Sequence, residues 1–405
     1  MLYFFESYLK TRYIREFQYT FYNLIYRRKN LLSEKKIQYT VTCPLCKKEI
    51  FFEVEKEKAQ NKLIGGLASF SLSAHGSPPH VLTIYLDKEG KIRGTYVSQQ
   101  VEGFTSTETS SQQLELQFNH IVDAGSELSP KDGKAVGLEV ISFDILIDKK
   151  TRKKYLKDIF SPDVFDLLLK NHRLETEPIS VIDFYEFFKN QDNGKPFIVL
   201  TMASNLSEIY NNALKARKHL ENENPSFAQR ITIMDSNTVG PLLKQMAKTA
   251  LQMDKNGRNM QEIKLYLDWL SNNNQSYMLV DTLEYLARSK RVGRLAAFFG
   301  DLFGIKPILV GNIEGDGELK PYKSVRSREK GLKEIIKLVE EKFSGKKVEG
   351  IIFHVLCEED ARAFKELLVN ELKIDEDNFR IEPLGSLIGI HLGIGTIGLS
   401  VYPEL

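Results

Sequence analysis

The sequence predicts an α/β protein with mainly parallel strands, preceded by a small β-rich domain and an N-terminal helix. Three patterns predict it. From about Phe118 onward, strand-length apolar runs alternate with helix-period segments; residues 38–102 carry short alternating stretches; and residues 1–37 repeat apolar side chains at spacings of three and four. A chain of 405 residues with 42% apolar and 27% charged residues has material for two or three packed units.

In the first segment Leu2, Phe5, Leu9, Tyr13, Phe17, Phe21 and Leu24 fall on one helical face, interleaved with Lys10, Arg12, Arg15, Arg27, Arg28, Lys29, Lys35 and Lys36. Two roles suit this basic, aromatic, amphipathic helix. It can dock on its own protein through the aromatic stripe, or lie in a membrane interface with Lys and Arg meeting anionic lipid.

The next segment, 38–102, reads as a small β domain. Ile50 to Val54, Val81 to Leu86 and Ile92 to Val97 alternate, and Asp87-Lys88-Glu89-Gly90-Lys91 forms the turn of a hairpin between the last two. Cys43-Pro44-Leu45-Cys46 is half of a zinc site, and His75 and His80, spaced H-x₄-H, can complete a Cys₂His₂ set. The competing reading is a knuckle with two reduced thiols, since one C-x-x-C without a second pair is a weak signal. The Ser- and Thr-rich Gly103 to Gln113 has no apolar period and marks a linker over 103–116.

Beyond it the expected strands and helices are Val136 to Ile147 (strand), Ser161 to Lys170 (helix), Phe197 to Thr201 (strand), Ser207 to Leu220 (helix), Ile231 to Met234 (strand) and Pro241 to Gln252 (helix). A second α/β block follows from Arg258, dividing this part into 117–257 and 258–405, and no internal repeat is apparent.

Composition excludes several classes. Lys plus Arg number 56 against 54 Asp plus Glu, too balanced for sequence-independent nucleic-acid binding. Three cysteines cannot build a disulfide framework and no apolar signal region opens the chain, so a cytoplasmic protein is expected. The longest apolar stretch, Leu295 to Val310, is interrupted by Asp301, Lys306 and Pro307, which argues against a membrane span.

The second half carries a set of ordered motifs. Thr282-Leu283-Glu284-Tyr285-Leu286, Lys290-Arg291-Val292-Gly293 and Gly304-Ile305-Lys306-Pro307-Ile308-Leu309 follow one another, then Asp316-Gly317-Glu318, Arg326-Ser327-Arg328, His354 and a terminal His391-Leu392-Gly393-Ile394-Gly395. Upstream stand Asp123 to Leu128, Thr176-Glu177-Pro178, Leu206-Ser207 and Met234-Asp235-Ser236. In this order they resemble the DegV family, over about Phe118 to Leu405. The resemblance implies a two-lobed domain, one lobe on a parallel sheet and one on a mixed sheet. It further implies a long-chain fatty acid in a tunnel between the lobes, its carboxylate held by hydroxyls and an imidazole and presented to a separate lipid kinase or acyl-transfer partner.

The matching positions are Thr176, Ser207 and His391, with Arg291 the nearest matched cation. Hydroxyl and imidazole groups donate to carboxylate oxygens without a metal. Six positions depart from the family pattern: Glu175, Glu208, Ile209, Ser289, Lys290 and Ile394. A carboxylate at Glu175 facing a bound carboxylate would repel it.

Each residue also has a plain structural reading: Ser207 as an N-cap, Thr176 as a turn residue before Pro178, His391 as a satisfied core histidine on a Gly-rich strand, and Arg291 as half of a surface ion pair. Gly393-Ile394-Gly395-Thr396-Ile397-Gly398 spells G-x-G-x-x-G, but Leu399 to Leu405 is too short for the helix a dinucleotide site requires. Neither a nucleophile elbow nor a P-loop accompanies Asp123, Asp235 and His354. The expectation is therefore a fatty-acid carrier, not an enzyme, needing no cofactor beyond its ligand and a structural zinc if one binds. The alternative is a lipid-sensing regulator whose zinc-ribbon-like part contacts protein or nucleic acid.

Overall fold

The computed structural model describes residues 36–43, 47–55, 67–72, 80–87, 90–99, 116–282, 284–285, 304–313 and 315–404. The expected N-terminal helix, the Ser/Thr-rich segment, Cys46, His75 and Arg291 lie outside them. The chain separates into two compact units, 1–108 and 109–404.

In the first unit, β1 (Lys36–Thr42) and β2 (Glu49–Glu55) form an antiparallel pair. A three-stranded antiparallel sheet has the order β3 (Leu67–Ser71), β4 (His80–Asp87), β5 (Ile92–Gln99), so the expected hairpin is present. Alternation places Tyr39, Val41, Phe52 and Val54 on one side of the first pair, where they pack with Phe70, Ile84 and Leu86. Tyr39 stacks on Phe52 at 5.0 Å, and its hydroxyl donates to the Gly90 carbonyl at 2.5 Å. The β1–β2 turn is closed by Cys43 N donating to Lys48 O and Lys47 N to Cys43 O, both at 2.9 Å. Cys43 is buried and His80 opens β4; among the described residues no group of three or more His, Cys, Asp or Glu is placed to hold a metal.

The second unit begins with a parallel sheet of order β12-β11-β6-β7, built from β6 (Asn119–Asp123), β7 (Leu138–Ile141), β11 (Phe197–Thr201) and β12 (Ile231–Asp235). Its helices are α1 (Pro130–Val136), α2 (Ser161–Leu169), α3 (Val181–Gln191), α4 (Ile209–Glu223), α5 (Pro225–Gln229) and α6 (Pro241–Lys255). The sequence sets their starts: before α3, Ser180 Oγ accepts from Asp183 N at 3.0 Å while the Asp183 carboxylate returns to Ser180 N at 3.3 Å. Every residue of β11 is buried, as a central parallel strand covered on both faces requires.

Val136 to Ile147 is not one strand. Gly137, at φ +101°, ends α1, and the chain then forms β7 in the parallel sheet and β8 (Asp144–Ile147) in a separate sheet of order β10-β8-β9. There β8 pairs antiparallel with β9 (Thr151–Lys154) and β10 (Leu174–Glu177).

After α7 (Met260–Asn273) comes a six-stranded mixed sheet of order β15-β14-β13-β18-β16-β17. Its strands are β13 (Gln275–Leu279), β14 (Lys306–Gly311), β15 (Leu319–Val325), β16 (Val348–His354), β17 (Phe379–Pro383) and β18 (Ile397–Pro403). α8 (Arg328–Phe343) and α9 (Glu358–Leu372) cover one face, where Tyr277, Leu279, Ile352, Leu399 and Val401 pack with Ile335, Val339, Phe364 and Leu368. Strand alternation therefore turns Ser276, Met278, Phe353 and Ser400 to the other face. A short helix, α10 (Ser386–Leu392), precedes β18.

Candidate ligand-binding site

A cavity of about 760 Å³ lies on that other face, lined from the parallel sheet's loops, the small sheet, the six-stranded sheet and α10. Its size falls in the range of small-molecule sites. Leu387, Ile388, His391 and Leu392 line it from α10, the spacing of one helical face. His391 thus sits in the last turn of a helix, not on a strand; Gly385 and Gly389 do not prevent helix formation because packing decides so short an element. Gly393 ends it at φ +88°, where a Cβ would also run into the Tyr285 ring. Strand β18 follows the glycines, so the G-x-G-x-x-G has no helix N-terminus to offer a phosphate.

Thr176 comes from β10, and its Oγ1 lies 3.2 Å from His391 Nε2 across the cavity wall. Strand alternation resolves the expected conflict at Glu175. That carboxylate faces away from Thr176 and is paired with Arg173 Nε at 2.8 Å, and it is not among the cavity-lining residues. Glu177 does line the cavity, with Arg152 Nη2 2.8 Å from its carboxylate.

Ser207 lines the same cavity from the loop after β11, although it does not cap α4 in the usual position. Glu208 is the N-cap, without a side-chain bond, and Ser207 Oγ accepts from Ile209 N at 3.4 Å. Ile209 presents a methyl surface where the family pattern has a threonine hydroxyl.

Two carboxylates at the ends of parallel strands shape that loop. Asp123 accepts from Met202 N and Gly125 N at 2.6 Å each, and Asp235 accepts from Ser204 N at 3.1 Å and Asn237 N at 3.0 Å. Burial pushes the Asp123 carboxyl up to about 7, with the Asp235 charge adding to the effect and the two N–H donors opposing it. The site thus stands outside the carboxyl ends of the strands, where open α/β sheets bind ligands.

The Asn312-to-Glu318 turn closes the rim. Asn237 Nδ2 donates to Gly315 O and Asn205 Nδ2 to Asp316 O, both at 2.6 Å. Gly317 is at φ +68°, and a Cβ there would lie 2.7 Å from the Ala203 Cβ, so glycine is needed for this approach.

Behind α10 sits a carboxyl that sequence reasoning did not single out. Glu127 Oε2 accepts from Tyr155 Oη at 2.5 Å, and the Tyr155 hydroxyl is 2.9 Å from Ser161 Oγ and 3.3 Å from Ser386 Oγ. The backbone N–H of Ile388 also reaches the carboxyl, while Glu127 Oε1 is enclosed without a partner. Burial raises this group to about 8 against the pull of Tyr155, Ile388 and the Lys244 charge. Only its place in Asp123 to Leu128, matching D-S-T-x-D-L, signalled it.

These features define a two-lobed α/β protein with a ligand-sized cavity lined by residues from the segments of its parallel and mixed sheets. The chain belongs to the DegV family, whose model matches residues 118–404. A DegV domain-containing protein of Clostridium perfringens is 30% identical over 226 residues, 55% of this chain and 76% of that one. One from Streptococcus pyogenes is 27% identical over 294 residues, 71% and 99% of the two chains. Among solved structures, a fatty-acid-binding DegV family protein from Thermus thermophilus superposes with a TM-score of 0.61 at 22% identity, covering 71% of this chain and all (100%) of that one. A stearic-acid-binding protein from Eubacterium ventriosum gives 0.62 at 19% identity over 71% and 99%. These likenesses show the fold.

Proposed function

We propose that the chain binds one long-chain fatty acid in this cavity, its carboxylate held by Thr176, His391 and Ser207, and presents that end to a partner that performs the chemistry. The observation that carries the reading is the convergence of a hydroxyl and an imidazole, 3.2 Å apart, on the wall of an otherwise largely apolar cavity. Solved relatives support it: one from Eubacterium eligens is loaded with heptadecanoic acid.

The energetics divide the work. At roughly 0.8 kcal/mol per buried CH₂, about 15 methylenes contribute on the order of 12 kcal/mol before ordering costs. Each hydrogen bond to the carboxylate adds about 1.5–3 kcal/mol. The apolar wall supplies affinity and the polar end supplies orientation; no bond is made or broken.

Filling the cavity tests the reading. Leu387 is buried and lines the cavity, so Leu387→Trp should weaken binding of stearic acid to delipidated protein by at least about tenfold, the equivalent of about 1.4 kcal/mol. Isothermal titration of both proteins measures it, and equal affinities would place the ligand elsewhere.

A further inference from the structure

We propose that the cavity contains a second polar subsite, the paired hydroxyls of Ser276 and Ser400, which selects an acyl chain carrying an oxygen function along its length: a hydroxylated fatty acid. The inference deepens the fatty-acid reading and rests on it.

The two serines face each other in the register of neighbouring strands β13 and β18. On the helix-covered side of the sheet, their neighbours Tyr277, Leu399 and Val401 are all apolar core. On the cavity side the floor changes character. Ser276 and Ser400 line the cavity alongside Met278, Phe353 and Gly311. Gly311 also pairs with Ser276, and a Cβ added there would sit 3.6 Å from the serine Cβ.

The chemistry of the pair leaves a hydrogen unused. The two Oγ atoms are 2.9 Å apart and either can donate. Neither hydroxyl has another partner among the described residues. Whichever serine donates, the other retains one O–H donor, and both retain acceptor capacity. Both residues are almost fully enclosed, at 7% and 3% exposure, so a bound ligand would leave little water to satisfy that donor.

A plain methylene chain cannot accept the hydrogen, and a buried unmet donor carries a desolvation cost. A ligand hydroxyl accepts it and donates in return; a ligand ketone accepts it only. The subsite also lies on a different wall from Thr176 and His391, on the six-stranded sheet and not on the small sheet or α10. It therefore has a role distinct from holding the carboxylate.

The test titrates stearic, 10-hydroxystearic, 12-hydroxystearic and 12-ketostearic acids into the full chain and into Ser276→Ala/Ser400→Ala. The double change removes both partners together, so it leaves no orphaned group to unfold the sheet, and thermal melting verifies this. In the wild type at least one hydroxy acid should bind as tightly as stearic acid or more so. The double variant should lose about tenfold affinity for that hydroxy acid while keeping stearic acid. The same ratio of hydroxy acid to stearic acid in both proteins would overturn the subsite and leave the fatty-acid reading intact, as would weaker binding of both hydroxy acids than of stearic acid by the wild type. Failure of all four acids to bind the wild type would overturn both.

Discussion

Replacing Thr176 by Val and His391 by Leu together is expected to weaken stearic acid binding on the order of a hundredfold while leaving the binding of methyl stearate nearly unchanged. The two side chains meet at 3.2 Å on one wall of the cavity, where a seated carboxylate would accept from this hydroxyl–imidazole pair. Hydrogen bonds to a charged acceptor are worth about 1.5–3 kcal/mol apiece, and removing a coupled pair costs less than the sum of the two. Both substitutions are close in shape and remove the hydroxyl and the imidazole that face each other in the cavity wall. The acyl chain keeps its contacts with Leu387, Ile388, Met278 and Phe353, which is why binding weakens without vanishing. Methyl stearate separates the roles, because it has the same tail and no charge. Competitive displacement of a fluorescent fatty acid measures all four combinations, and an equal loss for acid and ester would show that the substitutions had damaged the cavity and not the carboxylate contact.

A falling stability between pH 5 and 8 should be the signature of Glu127. Its carboxyl is raised from 4.5 to about 8, so below 4.5 both folded and unfolded chains hold the proton and the contribution is fully present. Between those values the unfolded chain releases the proton and the folded chain keeps it. Stability therefore declines with rising pH by up to about 1.4 kcal/mol per unit, and the contribution is lost once pH passes the folded value.

Burial accounts for the neutral form, and the groups facing Glu127 offset it only in part. Tyr155 and the Ile388 N–H reach the carboxyl, and Lys244, whose charge also acts on it, is engaged with Glu382. Among the described residues the enclosed Oε1 has no partner to solvate a charge. Glu127→Gln keeps the shape and removes the titration. Urea midpoints recorded from pH 5 to 8 should fall for the wild type relative to the variant, whereas parallel curves would mean that Glu127 ionises normally. The Asp123 carboxyl, raised to about 7, contributes a slope of the same sign to both proteins, so the difference isolates Glu127.

Much of the fold was legible because its signals are local. Phe197 to Thr201, Ile231 to Met234 and the hairpin around Gly90 declare themselves through runs, alternation and turn residues, whereas the helix Val181–Gln191 was not among the expected elements although Ser180 and Asp183 form its capping box. Val136 to Ile147 misled because an apolar run does not reveal that a glycine in the left-handed region ends a helix within it, nor that its two halves join different sheets. His391 misled for the opposite reason. The glycines around it suggested a strand, whereas the segment is a helix packed against α2, with Gly389 against the Phe165 ring.

Of the candidate site, Thr176, Ser207 and His391 were singled out through ordered motifs, and all three line one cavity. Their proximity could not be derived from spacing, since Thr176 and His391 are 215 residues apart. The expected repulsion at Glu175 does not arise, because its carboxylate is paired with Arg173 and is not among the cavity-lining residues, which sequence position does not reveal. Glu127 and the Ser276–Ser400 pair were missed because an isolated polar residue in an apolar stretch gains meaning only from what it faces in three dimensions.

Native mass spectrometry of the purified full chain, followed by denaturing extraction and analysis of the released lipid, tests the central claim most directly. The account predicts one bound fatty acid per chain, lost from the Thr176→Val/His391→Leu protein on mild delipidation while the wild type retains it. A chain that carries no lipid and takes up neither stearic nor 12-hydroxystearic acid when both are supplied in excess would contradict it.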